Sequence, residues 1–202
     1  MHTQSAIIAA VGIAASPTIW NIIAQNEYRK HTLERILGSK YRGCYALAAW
    51  IFFSSLYRDY LFQIAVDKNA GHAIIPSSVK NSEFLIGMMK KAGVAVMGAG
   101  MTLVCSAYYR LGVTGTYLGD YFGILMKERV TAFPFSHFND PMYLGSTMSF
   151  LAIAMMQNSS VGVALSAWVH LVYWVSTNHY EGPFTTKIYQ EAAAAAKEKK
   201  TE

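Results

Sequence analysis

"PMYLGSTMSFLAIAMMQNSSVGVALSAWVHLVYWVSTNHY" fills residues 141–180 and contains no Lys, Arg, Asp or Glu. A membrane helix needs about 20 apolar residues, so a run of this length is either one long tilted element or two helices. The polar tetrapeptide Gln157-Asn158-Ser159-Ser160 lies near its middle. It is either a turn between helices at 142–156 and 161–177 or the midpoint of a single helix. Three more stretches, 5–24, 43–57 and 92–109, are also free of charge. Blocks of this kind, rather than alternation, predict an all-α polytopic transmembrane helix bundle of four to five membrane helices. If the last run doubles back, the bundle ends in a C-terminal helical hairpin.

Composition agrees. Of 202 residues, 53% are hydrophobic and 14% charged, where soluble domains carry about 25% charged residues. That excludes an ordinary soluble domain. The net charge of +5 suits an anionic membrane face better than nucleic acid, because the basic residues sit at the ends of apolar blocks. The first basic residue, Arg29, follows the first apolar block, so a signal peptide's positive leader is missing. Residues 5–24 are therefore expected to be retained, spanning or re-entrant, with Pro17 as a break or kink. Cys44 and Cys105 lie within apolar blocks and read as small buried hydrophobes. No internal repeat is visible, so residues 1–202 read as a single integral-membrane domain. Residues 191–202 read as a flexible cytosolic tail.

The positive-inside rule weighs the two readings of the last run. If it crosses once, the two faces collect eight basic residues each, which decides nothing. If it is a hairpin, residues 25–42, 110–140 and the tail share one face, with twelve basic residues against four. Charge thus favours the hairpin. The tail ends in Lys199-Lys200-Thr201-Glu202, which is similar to a C-terminal dilysine signal for retention in the endoplasmic reticulum.

Within the third connector lies RLGVTGTYLGDYFG, residues 110–123. Irregular, glycine-rich backbone at membrane depth is tolerated where it lines a site or faces water. Arg110 offers a forked cation suited to phosphate. Asp120, between Tyr117 and Tyr121, offers charge and ring faces to an amine or quaternary ammonium. A helix-packing glycine strip with an interfacial arginine fits the same residues, and composition leaves both readings open.

The ordered segments RLGVTGTYLGDYFGIL, VTAFPFSHFNDPMYLGST and YEGPFTTKIY, within a match that runs from about residue 85 to 190, resemble the small, single-domain phospholipid N-methyltransferases. The resemblance implies an integral enzyme of the endoplasmic reticulum membrane. Such an enzyme methylates phosphatidylethanolamine and its mono- and dimethyl derivatives from S-adenosylmethionine, ending at phosphatidylcholine. It implies no metal. The family's cofactor pattern falls on Gly98-Ala99-Gly100 and on Glu181-Gly182, where the second of two common glutamates is replaced by glycine. Asn139-Asp140-Pro141-Met142-Tyr143-Leu144-Gly145 is similar to the R-H-P-x-Y-x-G motif of a wider methyltransferase superfamily. It retains Pro141, Tyr143 and Gly145 but not the basic pair. On this resemblance Gly98, Ala99, Gly100, Tyr143, Glu181 and Gly182 are expected to bind the cofactor. Asp120 and Glu181 are expected to be catalytic, and Arg110, Tyr117 and Tyr121 to bind the lipid headgroup. Gly100 lies ten residues before Arg110, about 15 Å along a helix, so a packing role for the glycines stays open.

Tyr143 and Glu181 stand at opposite ends of the long apolar run, so a shared cofactor also requires the run to double back. Arg58-Asp59 is an intramembrane charge pair with either a structural or a functional reading. His137, His170 and His179 have no metal-ligand spacing. Two other classes remain: a membrane methyltransferase for a prenylcysteine or isoprenoid acceptor, and a non-enzymatic transport or scaffold protein.

Overall fold

A computed structural model describes residues 2–127 and 130–198. Among these the chain is helical and has no strand. The first helix, α1 (Thr3–Lys30), runs unbroken through Pro17. Pro17 has no N–H to give the helix ladder, and the Asn21 amide donates to its carbonyl at 3.0 Å. Twenty-eight residues rise about 42 Å, so residues 5–24 belong to an element of spanning length. The chain turns at His31, where φ is 51°, into the short α2 (Thr32–Leu37). The fully buried Glu27 carboxylate accepts from the backbone N–H groups of Leu33 (2.6 Å) and Glu34 (3.1 Å), which satisfies the open start of α2.

Helix α3 covers Lys40–Lys68 and α4 covers Ser82–Thr116. A short 3-10 turn, Gly119–Phe122, follows. Helices α5 (Pro141–Met156) and α6 (Ser160–Ser176) form the hairpin, a π turn spans Thr177–Glu181, and α7 (Gly182–Glu198) closes the chain. Three stretches are long and apolar enough to cross a membrane: α1, α4 with the turn after it, and α6 continued into α7. Helix α5 is a shorter apolar helix; its 16 residues rise about 24 Å.

The doubling back favoured by charge is present. Asn158 takes φ 51°, a left-handed conformation that Asn tolerates. Its side chain clasps the α3–α4 loop: Ile75 N–H donates to Oδ1 (2.8 Å) and Nδ2 donates to the Ile75 carbonyl (3.0 Å). At the same end the His2 N–H donates to Asn69 Oδ1 at 2.6 Å. The chain start, the α3–α4 loop and the hairpin turn therefore share one end of the bundle.

Helices α4 and α5 cross through small residues. A Cβ on Gly100 would lie 2.7 Å from the Gly145 carbonyl oxygen, and one on Gly145 would lie 2.5 Å from that of Gly100. One heptad away, a Cβ on Gly93 would lie 3.1 Å from the Ala152 carbonyl oxygen. Such close approach replaces bulky packing in membrane bundles. Outward faces carry Phe53, Tyr57 and Tyr109, all exposed.

Several boundaries differ from expectation. Helix α4 starts early enough to include Lys90 and Lys91, and it runs past Arg110 to Thr116. Basic residues therefore flank or enter helices rather than sitting in long loops, as snorkelling side chains do. Cys44 is buried, but Cys105 is exposed on the outside of α4: an apolar block in a membrane bundle has a lipid-facing side as well as a core side. Residues 191–198 continue α7. The Lys199-Lys200 pair lies outside the described residues.

Candidate active site

The hairpin returns the chain to the level of Tyr143, and the π turn after α6 points Glu181 inward. A Cβ on Gly182 would lie 2.7 Å from the Thr177 carbonyl oxygen, so a larger residue here would require the π turn to shift. Four donors converge on the Glu181 carboxylate. Trp20 Nε1 (3.1 Å), Asn21 Nδ2 (3.0 Å) and Ser176 Oγ (2.8 Å) donate to Oε1. The Tyr143 hydroxyl donates to Oε2 at 2.6 Å. Elements α1, α5, α6 and the π turn thus meet at one negative charge. A carboxylate has about four acceptor positions, and Oε2 accepts only this one bond among the described residues.

The strip of residues 110–123 carries the second carboxylate. Helix α4 breaks at Gly112, whose φ of 62° and ψ of −171° lie in a region open essentially to glycine alone. The chain then bends into the 3-10 turn and brings Asp120 beneath α7. Asp120 Oδ2 accepts from the Thr185 hydroxyl (2.8 Å), and Oδ1 accepts from Tyr121 N–H (3.1 Å). Tyr121 is fully buried and stacks on Phe184, with centroids 3.7 Å apart and planes 14° apart. That stack pins the turn to α7.

Asp120 and Glu181 line one cavity of about 580 Å³. Its polar lining includes Thr116, Tyr117, Tyr143, Thr185 and Tyr189. Its apolar part includes Ile51, Phe62, Met101, Val104, Phe150 and Ile153. Thr116 Oγ1 is buried with no hydrogen-bond partner among the described residues. A polar ligand in the cavity would satisfy it. The cavity therefore has spare hydrogen-bonding capacity beside hydrocarbon side chains.

Of the residues singled out in the sequence, Asp120, Glu181, Tyr117, Tyr143 and Gly182 line this cavity. Tyr121 sits behind its wall as the prop just described. Gly98 and Ala99 are exposed on the outer side of α4, and Gly100 is buried in the α4–α5 seam; none of the three lines the cavity. Arg110 is exposed, and its Nε donates to the Phe133 carbonyl at 3.3 Å, away from the cavity lining. Arg58 and Asp59 do line it.

Residues the sequence did not single out hold the carboxylates in place: Trp20, Asn21, Ser176 and Thr185. The readable signal was Asn21, a strong hydrogen-bonding side chain inside an otherwise uncharged span. A polar group at such a position needs a partner on another helix.

Comparison with known proteins fits this geometry. Residues 89–192 match the family model described as phospholipid methyltransferase. The chain is 45% identical to the phosphatidyl-N-methylethanolamine N-methyltransferase of Emericella nidulans, over 90% of this chain and 83% of the relative. It is 43% identical to the Saccharomyces cerevisiae protein of the same name, over 94% and 87%. It is 40% identical to the phosphatidylethanolamine N-methyltransferase of Rattus norvegicus, over 95% and 92%. No solved structure matches the chain. A helical bundle with two carboxylates facing one half-apolar cavity, and these relatives along nearly its whole length, place the chain in the phospholipid methyltransferase family.

Proposed function

We propose that the chain methylates the amine of phosphatidylethanolamine and of its mono- and dimethyl derivatives, with S-adenosylmethionine as donor and phosphatidylcholine as final product. The observation that carries this reading is the single cavity walled by Asp120 and Glu181 and continued by hydrocarbon side chains. It suits a ligand that is cationic at one end and a lipid at the other.

S-adenosylmethionine supplies, when bound, an electrophilic methyl group on a sulfonium. Glu181 is assigned to hold it, because Oε2 retains acceptor capacity for a hydroxyl or ammonium N–H. Tyr143, Trp20, Asn21 and Ser176 orient that carboxylate by donating to it. The fit rests on the spare acceptor positions of Glu181 and on the unpartnered Thr116 hydroxyl. Gly182 leaves the cavity wall without a side chain beside Glu181.

The lipid amine must lose a proton before its lone pair can attack, and Asp120 is assigned to take it. Thr185 and the Tyr121 N–H fix the direction of the carboxylate. The Tyr117 ring beside it favours the cation that each transfer regenerates. Aligning the amine with its methyl donor supplies much of the acceleration, about 7–11 kcal/mol in well-oriented systems. Gly100 contributes by letting α4 meet α5, which brings Asp120 and Tyr143 to one cavity.

We place the chain in the endoplasmic reticulum membrane, as the family resemblance implies, with the end of α7 on the cytosolic side, on the basic-residue asymmetry. The test supplies membranes carrying the chain with labelled S-adenosylmethionine and with unmethylated, mono- or dimethylated phosphatidylethanolamine. The expected products are the successive N-methylated lipids. Label on a prenylcysteine or isoprenoid, and none on phospholipid, would overturn the reading.

A further inference from the structure

We propose that Arg58, held by Tyr173, is an anion-binding station inside the cavity that receives the charged oxygens of a substrate. The ligand chemistry is an oxyanion beside an amine, which the lipid phosphodiester and the carboxylate of the methyl donor share. The inference rests on the methyl-transfer reading and names which side chain recognises the negative end of the reactants.

Arg58 is ten residues from the end of α3 at Lys68, about 15 Å inside by helical rise. Its neighbours Phe53, Leu56, Tyr57 and Tyr60 face outward and are at least half exposed. Arg58 turns the other way: it is 6% exposed and lies at the cavity wall. A guanidinium at this depth is costly and needs a reason.

The protein groups around it do not supply one. Asp59 Oδ1 accepts from Nε (2.9 Å) and Nη2 (2.7 Å), but Asp59 lines the same cavity with its side chain 49% exposed, so this partner leaves the guanidinium open to a ligand there. The other partner is the neutral Tyr173 hydroxyl, which accepts from Nη1. The cation also lies over the Phe150 ring, 5.1 Å from its centroid. No buried carboxylate requires Arg58. These three bonds use three of five N–H groups, so donor capacity remains on both terminal nitrogens. A planar fork with two terminal donors is the geometry that phosphate and carboxylate bind best.

The station is wired to the carboxylate end. The Tyr173 hydroxyl is 3.3 Å from Ser146 Oγ, and its ring lies 4.7 Å from that of Tyr143, whose hydroxyl holds Glu181. An anion on Arg58 would thus sit one ring-pair away from the Glu181 cluster.

The test uses the full chain purified in detergent, with Arg58→Gln, Arg58→Lys and Asp59→Asn compared with the parent. Three quantities are read: KM for phosphatidylethanolamine at saturating donor, the affinity for S-adenosylhomocysteine, and the thermal midpoint. Arg58→Gln is expected to weaken one ligand about tenfold or more and to leave the other within about twofold. Loss confined to the lipid identifies the phosphodiester, and loss confined to S-adenosylhomocysteine identifies the carboxylate. Arg58→Lys should recover part of the loss, and Asp59→Asn, which removes the counter-charge, should tighten the same ligand. A folded Arg58→Gln chain with both values unchanged overturns the proposal. Failure of Arg58→Gln and Arg58→Lys alike to fold also overturns it, by assigning the pair to stability. A parent chain that methylates no phospholipid would overturn the methyl-transfer reading itself, which the parent control shows separately.

Discussion

The Tyr143 hydroxyl stands 2.6 Å from Glu181 Oε2, although the two residues lie at opposite ends of a forty-residue uncharged run. A single transmembrane pass would have put them on opposite membrane surfaces. The α5–α6 hairpin brings them together, and Trp20 and Asn21 from α1 complete the same cluster. The carboxylate assigned to the methyl donor is thus also a junction of the fold.

That double role predicts coupled effects. Glu181→Gln replaces an acceptor-only group with one that also donates, so its amide would face donors. Hydrogen bonds to charged groups are worth about 1.5–3 kcal/mol each, so Tyr143→Phe should weaken S-adenosylhomocysteine binding by roughly ten- to a hundredfold. Glu181→Gln should weaken it at least as much. The double variant should lose less than the two losses combined, because both act on one contact. Binding titrations on the three purified variants check this. Strictly additive losses would show that the two side chains do not act as one unit.

Asp120→Asn tests the other carboxylate separately. Loss of a positioned proton acceptor typically lowers turnover about 10²–10⁴-fold. Donor affinity, which the proposed function assigns to Glu181, should stay within a few-fold. Thr185→Val removes the hydroxyl that donates to Asp120 Oδ2 at 2.8 Å but keeps the carboxylate, so its loss of turnover should be smaller. Single-turnover rates with saturating donor and lipid separate the cases. An Asp120→Asn chain with parental turnover would remove the proposed role.

Much of the architecture was legible in the sequence because membrane helices announce themselves by charge. The forty-residue run and the distribution of basic residues pointed to a hairpin at 157–160, and α5 and α6 begin and end within one residue of the expected spans. Asp120 was legible as a carboxylate in a glycine-rich strip, whereas Glu181 stood out only through the family resemblance. What a sequence cannot display is facing. Arg110 and Arg58 are both arginines at the margins of apolar blocks, yet one points out of the bundle and the other lines the cavity. Two of the four partners of Glu181 come from 160 and 161 residues away, a pairing that only helix packing determines. Gly98 and Gly100 are two residues apart, so they fall on different faces of α4; no pattern in G-x-G says which face meets α5.

The hairpin turn offers a test of stability remote from the cavity. Asn158→Ala removes two side-chain hydrogen bonds to Ile75 and places alanine at φ 51°. At about 1 kcal/mol per bond plus the left-handed penalty, the loss should be roughly 2–4 kcal/mol. Asn158→Gly restores the backbone freedom and should lose less. Thermal denaturation in detergent reads both, and KM for lipid and donor should not move in the folded fraction. Equal stability of the parent and Asn158→Ala would show that the clasp is dispensable.

The α4–α5 seam separates the two readings of the G-x-G sequence. A Cβ on Gly100 would meet the Gly145 carbonyl oxygen at 2.7 Å, whereas one on Gly98 would have nothing within 4 Å. If the glycines serve packing, Gly98→Ala should be silent or slightly stabilising, since alanine is favoured over glycine in a helix by about 1 kcal/mol. Gly100→Ala must instead push two helices apart at a backbone contact. Overpacking of this kind costs about 1–3 kcal/mol, and the shift would carry Asp120 away from Tyr143. Its activity loss should therefore follow the loss of folded protein and be partly relieved at lower temperature. If Gly98 touches the donor directly, Gly98→Ala would weaken S-adenosylhomocysteine binding without lowering the thermal midpoint. Measuring affinity and midpoint on both variants decides between the two roles, because packing lowers both at Gly100 and lowers neither at Gly98.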